Sequence, residues 1–119
     1  MGFTHANIGL ADLSAPAPRE EVELMVDTGA LYSIVPAETL RRIGIQPRQR
    51  LEFELANGGV IERAVGDARF FYDGRDAASP VIFGEPEDPA LLGVVTLEAM
   101  GLEVDPVRKQ IRPTRLILY

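Results

Sequence analysis

The residues best suited to chemistry lie together in the segment Asp27-Thr28-Gly29. An apolar alternating run over residues 22–26 precedes this segment, and a second apolar run over residues 31–35 follows it. This pattern predicts a strand, a tight turn and a second strand. Gly29 permits a sharp reversal that a Cβ atom would obstruct. A carboxylate on such a turn is aimed by backbone held on both sides, so Asp27 is the first candidate for a catalytic group.

The same three residue types are also ordinary turn formers, and alone they are typical of a structural turn. Their surroundings add information. Ala30 and Ser33 follow at fixed offsets, and a second apolar-apolar-glycine element, Leu91-Leu92-Gly93, stands some sixty residues later. The combination is more specific than either half.

Other candidate groups have simpler interpretations. The acidic segment from Glu85 to Pro89 matches no calcium-loop spacing, and its prolines favour a solvated connector. The single histidine, His5, cannot form a His-rich metal site, and a solvated surface position is expected for it. The chain has no cysteine, which excludes disulfides and thiolate zinc sites. We therefore expect no metal and no cofactor.

The elements that must position Asp27 can be predicted from local patterns. A first strand is expected within residues 3–13, and a proline-containing loop returns the chain into the strand before Asp27. Residues 36–44 have Pro at the start, basic residues near the end and Gly as the stop, which predicts a helix of about two turns. Leu40 and Ile43 are expected to face the core.

Two hairpins are expected next. Alternating residues 51–55, a turn over residues 56–59 and a strand over residues 60–65 form the first, with Asn-Gly as the turn signal. Taken generically it is a surface ribbon. Residues 68–72 and 79–83 form the second, around a turn at residues 73–75.

The last part of the chain echoes the first. A short helix is expected over residues 96–100, and a hairpin pairs residues 102–105 with 107–111. A weak internal duplication therefore relates residues 26–45 to residues 92–104. The apolar end, residues 116–119, is expected to be a core strand or a strand exchanged with a second subunit.

These motifs resemble the single-domain aspartic proteases of the retroviral, or retropepsin, type, and more closely their small bacterial and archaeal relatives. The stretch from Val26 to Ile34 fits the pattern apolar-Asp-Thr/Ser-Gly-Ala-x-x-Ser/Thr-apolar. The stretch from Leu91 to Leu102 resembles the second element of the family, two apolar residues and a glycine followed by a short helix. The resemblance spans residues 22–113.

The resemblance implies an all-β fold: a retropepsin-like barrel of hairpins with two short helices, one lobe per chain, in a single domain over residues 1–119. It implies a catalytic role for Asp27, Thr28 and Gly29. Thr28 would hold two such turns together, and the Gly29 carbonyl would meet the substrate backbone. The first hairpin would be a flap over the substrate. Substrate binding would also involve Ala30 and the flap tip, which comprises Asn57, Gly58 and Gly59.

The chemistry of this class needs two carboxylates about 3 Å apart that share one proton. One chain offers a single Asp-Thr-Gly. A twofold homodimer would supply the second Asp27 by symmetry. The sequence therefore predicts an aspartic endopeptidase with itself as a homodimeric partner and a peptide or protein as substrate. Its pH optimum should be acidic to near neutral.

The sequence departs from the viral pattern at three positions. Leu31 and Tyr32 stand where many retroviral enzymes have acidic residues, and Val94 stands where they have Arg. The ion pair that these residues form in the viral enzymes is therefore absent. Leu31 and Tyr32 are expected to support the pocket with apolar surface instead.

Composition excludes several other classes. The formal net charge is −6, which disfavours nucleic-acid binding. No apolar run is long enough to span a bilayer, and no secretory signal is visible, so no membrane partner and a cytoplasmic location are expected.

Two alternatives to the protease remain open. One is a non-catalytic dimeric peptide-binding or assembly module of the same fold. The other is an unrelated small β-barrel in which residues 27–29 are only a turn.

Overall fold

The computed structural model describes residues 4–119, and within them the chain is built from strands of 2 to 13 residues and two six-residue helices. In chain order the elements are β1 His5–Ala11, β2 Glu20–Val26, β3 Ser33–Pro36, α1 Ala37–Arg42, β4 Gln49–Glu54, β5 Val60–Tyr72, β6 Arg75–Gly84, β7 Leu91–Leu92, α2 Val94–Ala99, β8 Leu102–Asp105 and β9 Gln110–Pro113. The expected all-β class with two short helices is confirmed.

Seven strands form one sheet in the order β1-β2-β7-β3-β6-β5-β4. The sheet closes on itself because β1 also pairs with β5, through Gly9–Phe71 and the next two residue pairs. The inner half of β5 thus belongs to a barrel, whereas its outer half pairs, in the part of the chain that the structure describes, with β4 alone. Strands β8 and β9 form a separate two-stranded sheet.

The core fills the inside of this barrel. Alternation places every second side chain of a strand on the inner face. Apolar residues from most strands and both helices meet there with at most 2% exposure, among them Ile8, Leu10, Leu24, Leu40, Phe70, Phe83, Leu92 and Leu97. The inward positions predicted for Leu40 and Ile43 are confirmed, with 0% and 9% exposure.

The structure corrects several predicted boundaries. Residues 60–65 and 68–72 are one continuous strand of 13 residues, because the outer half pairs with β4 while the inner half continues along β6. Strand β9 begins at Gln110 and includes Pro113, so it lies later than predicted. Among the described residues, 116–119 form no strand and are exposed, which excludes their expected core position.

The two hairpin turns differ from each other. Asp73 and Gly74 both have positive φ, 49° and 80°, as a two-residue turn between twisted strands requires. At the other hairpin Gly58 has a φ of +88°, and the Gly58 N–H donates to the Leu55 carbonyl over 2.9 Å. Asn57 is not in the left-handed region. This tip is therefore a longer loop closed by one left-handed glycine.

In the part of the chain that the structure describes, neither helix has the length and apolarity that crossing a bilayer demands.

Candidate functional site

The loop from Asp27 to Tyr32 is held from both sides by backbone hydrogen bonds. Strand β7 lies between β2 and β3, parallel to β2 and antiparallel to β3, so it separates the two ends of the loop. The Asp27 N–H donates to the Leu92 carbonyl over 3.1 Å. At the far side, the Val94 N–H donates to the Ala30 carbonyl over 2.9 Å. The position of the Asp27 backbone is thus set by the second apolar-glycine element.

Gly93 allows this close packing. A Cβ atom built on it would lie 2.6 Å from the Tyr32 carbonyl carbon and 2.7 Å from the Leu31 carbonyl oxygen. Neither backbone atom can move without moving the loop. Glycine is therefore required at position 93, because the backbone of the Asp27 loop lies too close for any side chain.

Beneath the loop, three buried hydroxyl groups form a chain of hydrogen bonds. The Thr96 Oγ1 lies 2.6 Å from the Ser33 Oγ and 2.8 Å from the Ser79 Oγ. The Ser33 Oγ also accepts the Gly93 N–H over 2.9 Å. All three hydroxyl residues are at most 2% exposed. The chain joins β3, α2 and β6 behind the loop, so it fixes the loop's support in one arrangement.

The Asp27 side chain is partly exposed, and a local hydrogen bond orients it. Its Oδ1 accepts the Gly29 N–H over 2.9 Å, and the Ala30 N–H donates to the Asp27 carbonyl over 3.1 Å. The carboxylate lines a groove of about 540 Å³ between the loop and the β4–β5 hairpin. Gly29 and Ala30 line the same groove.

The wall of this groove is mostly apolar, as expected from Leu31 and Tyr32. Its apolar and aromatic lining comprises Ala30, Leu31, Tyr32, Ile34, Phe53, Leu55, Ala56, Ile61, Ile82, Pro89 and Leu91. The Tyr32 ring meets the Phe53 ring edge-on, with centroids 6.0 Å apart. This contact joins the Asp27 loop to the hairpin that was predicted to be a flap.

Thr28 points to a different surface. It lines a separate depression of about 230 Å³ together with residues of α2, β8 and the C-terminal segment, including Val94, Leu97 and Leu116. Within one chain Thr28 is therefore not brought into the groove with Asp27. It lies beside Leu116, an exposed apolar residue of the C-terminal segment.

The hairpin tip is also outside the groove lining. Asn57, Gly58 and Gly59 are exposed, and the Asn57 Oδ1 accepts the Gly59 N–H over 2.8 Å. The structure brings together Asp27, Gly29 and Ala30 but leaves the tip residues apart from them. A role of the tip in substrate binding stays a prediction.

The acidic segment between β6 and β7 is not simply a solvated connector. Glu85 and Glu87 are exposed as expected, but the Asp88 side chain is only 12% exposed and pairs with Arg63 of β5. The Arg63 Nε donates to Oδ2 over 2.7 Å, and its Nη2 donates to Oδ1 over 2.9 Å. Both residues line the groove that contains Asp27.

This ion pair shifts both acid–base equilibria. The hydrogen bond from Arg63 is the main cause that lowers the pKa of Asp88, against the opposing effect of burial. The same bond raises the pKa of Arg63. Both groups are therefore held in their charged forms. Sequence reasoning missed the pair because its members are 25 residues apart and belong to no motif.

No group of three or more His, Asp or Glu residues in the described range 4–119 could hold a metal ion. His5 is exposed, at the start of β1.

Comparisons with known proteins support the architecture. A retropepsin-like aspartic protease from Rickettsia conorii has a similar crystal structure, with a TM-score of 0.56 and 19% identity over 87% of this chain and 77% of that one. No protein-family model matches the sequence, and no curated protein matches it either. The chain therefore has the retropepsin-like fold, and the resemblance stated from its motifs is confirmed at the level of the fold.

Proposed function

We propose that this protein is an aspartic endopeptidase that hydrolyses peptide bonds, with a water activated by a pair of Asp27 carboxylates at a homodimer interface. The main support for the proposal is the geometry of the Asp27 loop. Its carboxylate is oriented by the Gly29 N–H, its backbone is clamped by β7 and α2, and it opens into an apolar groove. The bond from Gly29 is one that ordinary turns also make, so the proposal rests on its combination with the support from β7 and α2 and with the adjoining groove.

The second carboxylate would come from a second copy of the chain. Four consecutive apolar side chains, Leu116, Ile117, Leu118 and Tyr119, are 56–107% exposed. A patch of this kind is costly to leave in water. It lies beside Thr28, since Leu116 and Thr28 line one depression. A twofold axis through this face would cover the segment and bring the two Asp27 loops together.

The paired carboxylates would share one proton, because two negative charges at that distance repel each other. The ionised carboxylate takes a proton from water, whose oxygen then forms a bond to the peptide carbonyl carbon. The other carboxyl group gives its proton to the carbonyl oxygen. Collapse of the tetrahedral intermediate breaks the C–N bond, and the amine leaves with a proton returned from the carboxyl pair.

The groove suits an extended peptide. Its apolar walls favour apolar side chains, and the exposed backbone around Gly29 offers hydrogen-bonding groups to a main chain. The β4–β5 hairpin would cover the peptide from the opposite side. The substrate class is therefore a peptide or an unstructured protein segment.

Asp27→Asn tests the proposal directly. Wild-type protein incubated with an unstructured protein from about pH 3 to about pH 8 should yield fragments. The optimum should be acidic to near neutral, because one carboxyl group of the pair must keep its proton. Asp27→Asn should yield none, and a statine-type peptide should inhibit the wild type. Asp73→Asn, the same chemical change at the exposed turn between β5 and β6, is the matched control and should retain full cleavage.

Full activity in Asp27→Asn would refute the assignment. If the wild type bound extended peptides as a dimer at every pH without cleaving them, the protein would be a binding or assembly module of the same fold. A monomer that neither binds nor cleaves peptides would leave residues 27–29 as a structural turn.

A further inference from the structure

The outer part of the β4–β5 hairpin has little support from the main sheet. Within residues 4–119, strand β5 pairs with β6 only from Val65 onward, and β4 pairs with β5 alone. The ribbon formed by residues 49–64 thus projects from the barrel as two strands. A two-stranded ribbon is marginally stable in water without further contacts. Its position over the groove must depend on side chains that reach the body of the protein.

Apart from Ala64, which is buried in the core at the base of the ribbon, two side-chain contacts make that connection. One is the edge-on contact between Phe53 of β4 and Tyr32 of the Asp27 loop. The other is the ion pair between Arg63 of β5 and Asp88. The two side chains of the ion pair are 13% and 12% exposed, and their two parallel hydrogen bonds are 2.7 and 2.9 Å long. Two such bonds fix direction as well as distance.

Asp88 is itself rigidly placed. Its Oδ2 accepts the Glu85 N–H over 2.8 Å, and its own N–H donates to the Glu85 carbonyl over 2.9 Å. This closed turn leads within three residues into β7, the strand that holds the Asp27 backbone. Arg63 therefore connects the ribbon to the same support that positions the candidate catalytic residue.

We infer that Arg63 and Asp88 form a positioning pair that holds the β4–β5 ribbon over the groove, and that the pair must separate for the ribbon to lift. Opening would break two charge-assisted hydrogen bonds, and these bonds favour the closed position. The consequence for peptide turnover rests on the proposed function, whereas the position of the ribbon does not.

The charges around the pair are consistent with this role. Glu87 lies 3.5 Å from Arg63 but is 71% exposed, so it is a weak second partner. Glu85 contributes its N–H to Asp88, and its exposed carboxylate faces the same guanidinium at longer range. The Arg63 Nη1 also donates to the Glu62 carbonyl over 3.0 Å, which ties the guanidinium to its own strand.

Backbone amide hydrogen exchange tests the inference without any need for activity. In Asp88→Asn and Arg63→Lys, amides of the ribbon such as Leu55 and Phe53 should exchange about tenfold faster or more than in wild type. Amides of β1 and β2 should be unchanged. The double variant should exchange no faster than the more affected single variant, because both changes remove one interaction.

Arg50→Lys is the matched control. Arg50 pairs with Glu62 inside the same ribbon over 2.8 Å, but both side chains are more than half exposed and neither reaches the body. Its exchange rates should equal those of the wild type. The inference is overturned if ribbon exchange is unchanged in both single variants, if Arg50→Lys accelerates it equally, or if exchange rises evenly through β1 and β2. A wild type without peptidase activity would refute the proposed function and leave this result standing.

Discussion

At the scale of single residues, the site depends on groups that contact Asp27 through the backbone. Gly29 donates to the Asp27 carboxylate, and Gly93 packs against the backbone of Leu31 and Tyr32. Thr96 supports the same loop from below through Ser33. Changes at these positions should alter the geometry of the carboxylate without removing it.

Gly93→Ala should displace the loop. The new Cβ would require the Leu31 and Tyr32 backbone to move, since its closest contacts are 2.6–2.7 Å. We expect a loss of about 1–3 kcal/mol in the free energy of unfolding and a large loss of peptide cleavage per folded molecule. Denaturant unfolding and cleavage assays measure the two effects.

Gly44→Ala is the control for Gly93→Ala, because it introduces backbone strain without displacing the Asp27 loop. Gly44 has a φ of +88° with no atom within 4 Å of a built Cβ, and it follows α1. Alanine there should cost about 1–2 kcal/mol of conformational strain and leave cleavage by the folded protein intact. Equal activity in the two glycine variants would show that the fit of Gly93 is unimportant to the site.

Thr96→Val should break the buried hydroxyl chain while conserving shape. Ser33 would keep the Gly93 N–H, but Ser79 would lose its hydroxyl partner. A loss of about 1–3 kcal/mol is expected in the free energy of unfolding. Thr39→Val is the matched comparison, because among the described residues the buried Thr39 hydroxyl makes only a 3.4 Å contact with Arg42. A Thr96→Val protein as stable as Thr39→Val would contradict the role given to the chain.

The sequence predicts Asp27 but not most of its supports. The Asp-Thr-Gly pattern identifies the carboxylate because the residues that define the pattern are close to Asp27 in the sequence. Thr96 lies in a six-residue helix where a hydroxyl carries no distinctive signal, and its partners are 17 and 63 residues away. Such residues are found only once the fold is known.

At the scale of elements, periodicity predicts several strands of six or seven residues, but it divides the longest strand, β5, in two and gives no signal for the two-residue strand β7. Strands β1, β2 and β4 lie where alternation places them, and α1 lies between its predicted proline and glycine. Strand β7 has two residues, too few to show an alternating pattern, yet it pairs with both β2 and β3. The suggested duplication is also partial, because Gly93 leads directly into α2, whereas Asp27 is followed by a loop and β3.

The ion pair between Arg63 of β5 and Asp88, in the turn before β7, should make the free energy of unfolding depend on pH. The pKa of Asp88 is lowered in the folded protein, chiefly by the hydrogen bond from Arg63. Its stabilising contribution is therefore present above the unfolded pKa of 3.8 and is lost as the pH falls through the lower folded pKa. Above pH 5 or so, Asp88→Asn should be less stable than wild type by about 1.5–3 kcal/mol.

Unfolding by urea at a series of pH values measures this difference. The difference should be constant near neutral pH and shrink below about pH 4, where Asp88 becomes protonated first in the unfolded chain and then, at lower pH, in the folded protein. Asp73→Asn changes an aspartate that makes no ion pair within the described residues, so its stability relative to wild type should show no comparable trend. A pH-independent gap for Asp88→Asn would contradict the assigned linkage.

At the scale of the whole molecule, the exposed apolar segment Leu116–Tyr119 is the surface feature that most favours a contact with another chain. The sequence predicts that it is either a core strand or an exchanged strand, and the structure removes the first option. Pattern alone could not decide between them, because an apolar strand has the same composition whether its partner is in the same chain or in another. The second option stays a prediction.

Ile117→Asp tests that option, since Ile117 is 94% exposed and a charge there costs the single chain almost nothing. If the segment is covered by a second copy, the buried aspartate should weaken dimerisation by about 2 kcal/mol or more, roughly thirtyfold in the dissociation constant. Sedimentation at several concentrations measures the shift, and peptide cleavage per chain should fall with the dimer fraction.

Leu13→Asp is the control for this variant. Leu13 is an exposed apolar residue in the loop between β1 and β2, with 46% exposure, and it lies outside the depression shared by Thr28 and Leu116. Its dissociation constant and cleavage should match those of the wild type. Because activity would depend on protein concentration only if two chains form one site, a cleavage rate per chain that stays constant on dilution below the dissociation constant would exclude a shared Asp27 pair.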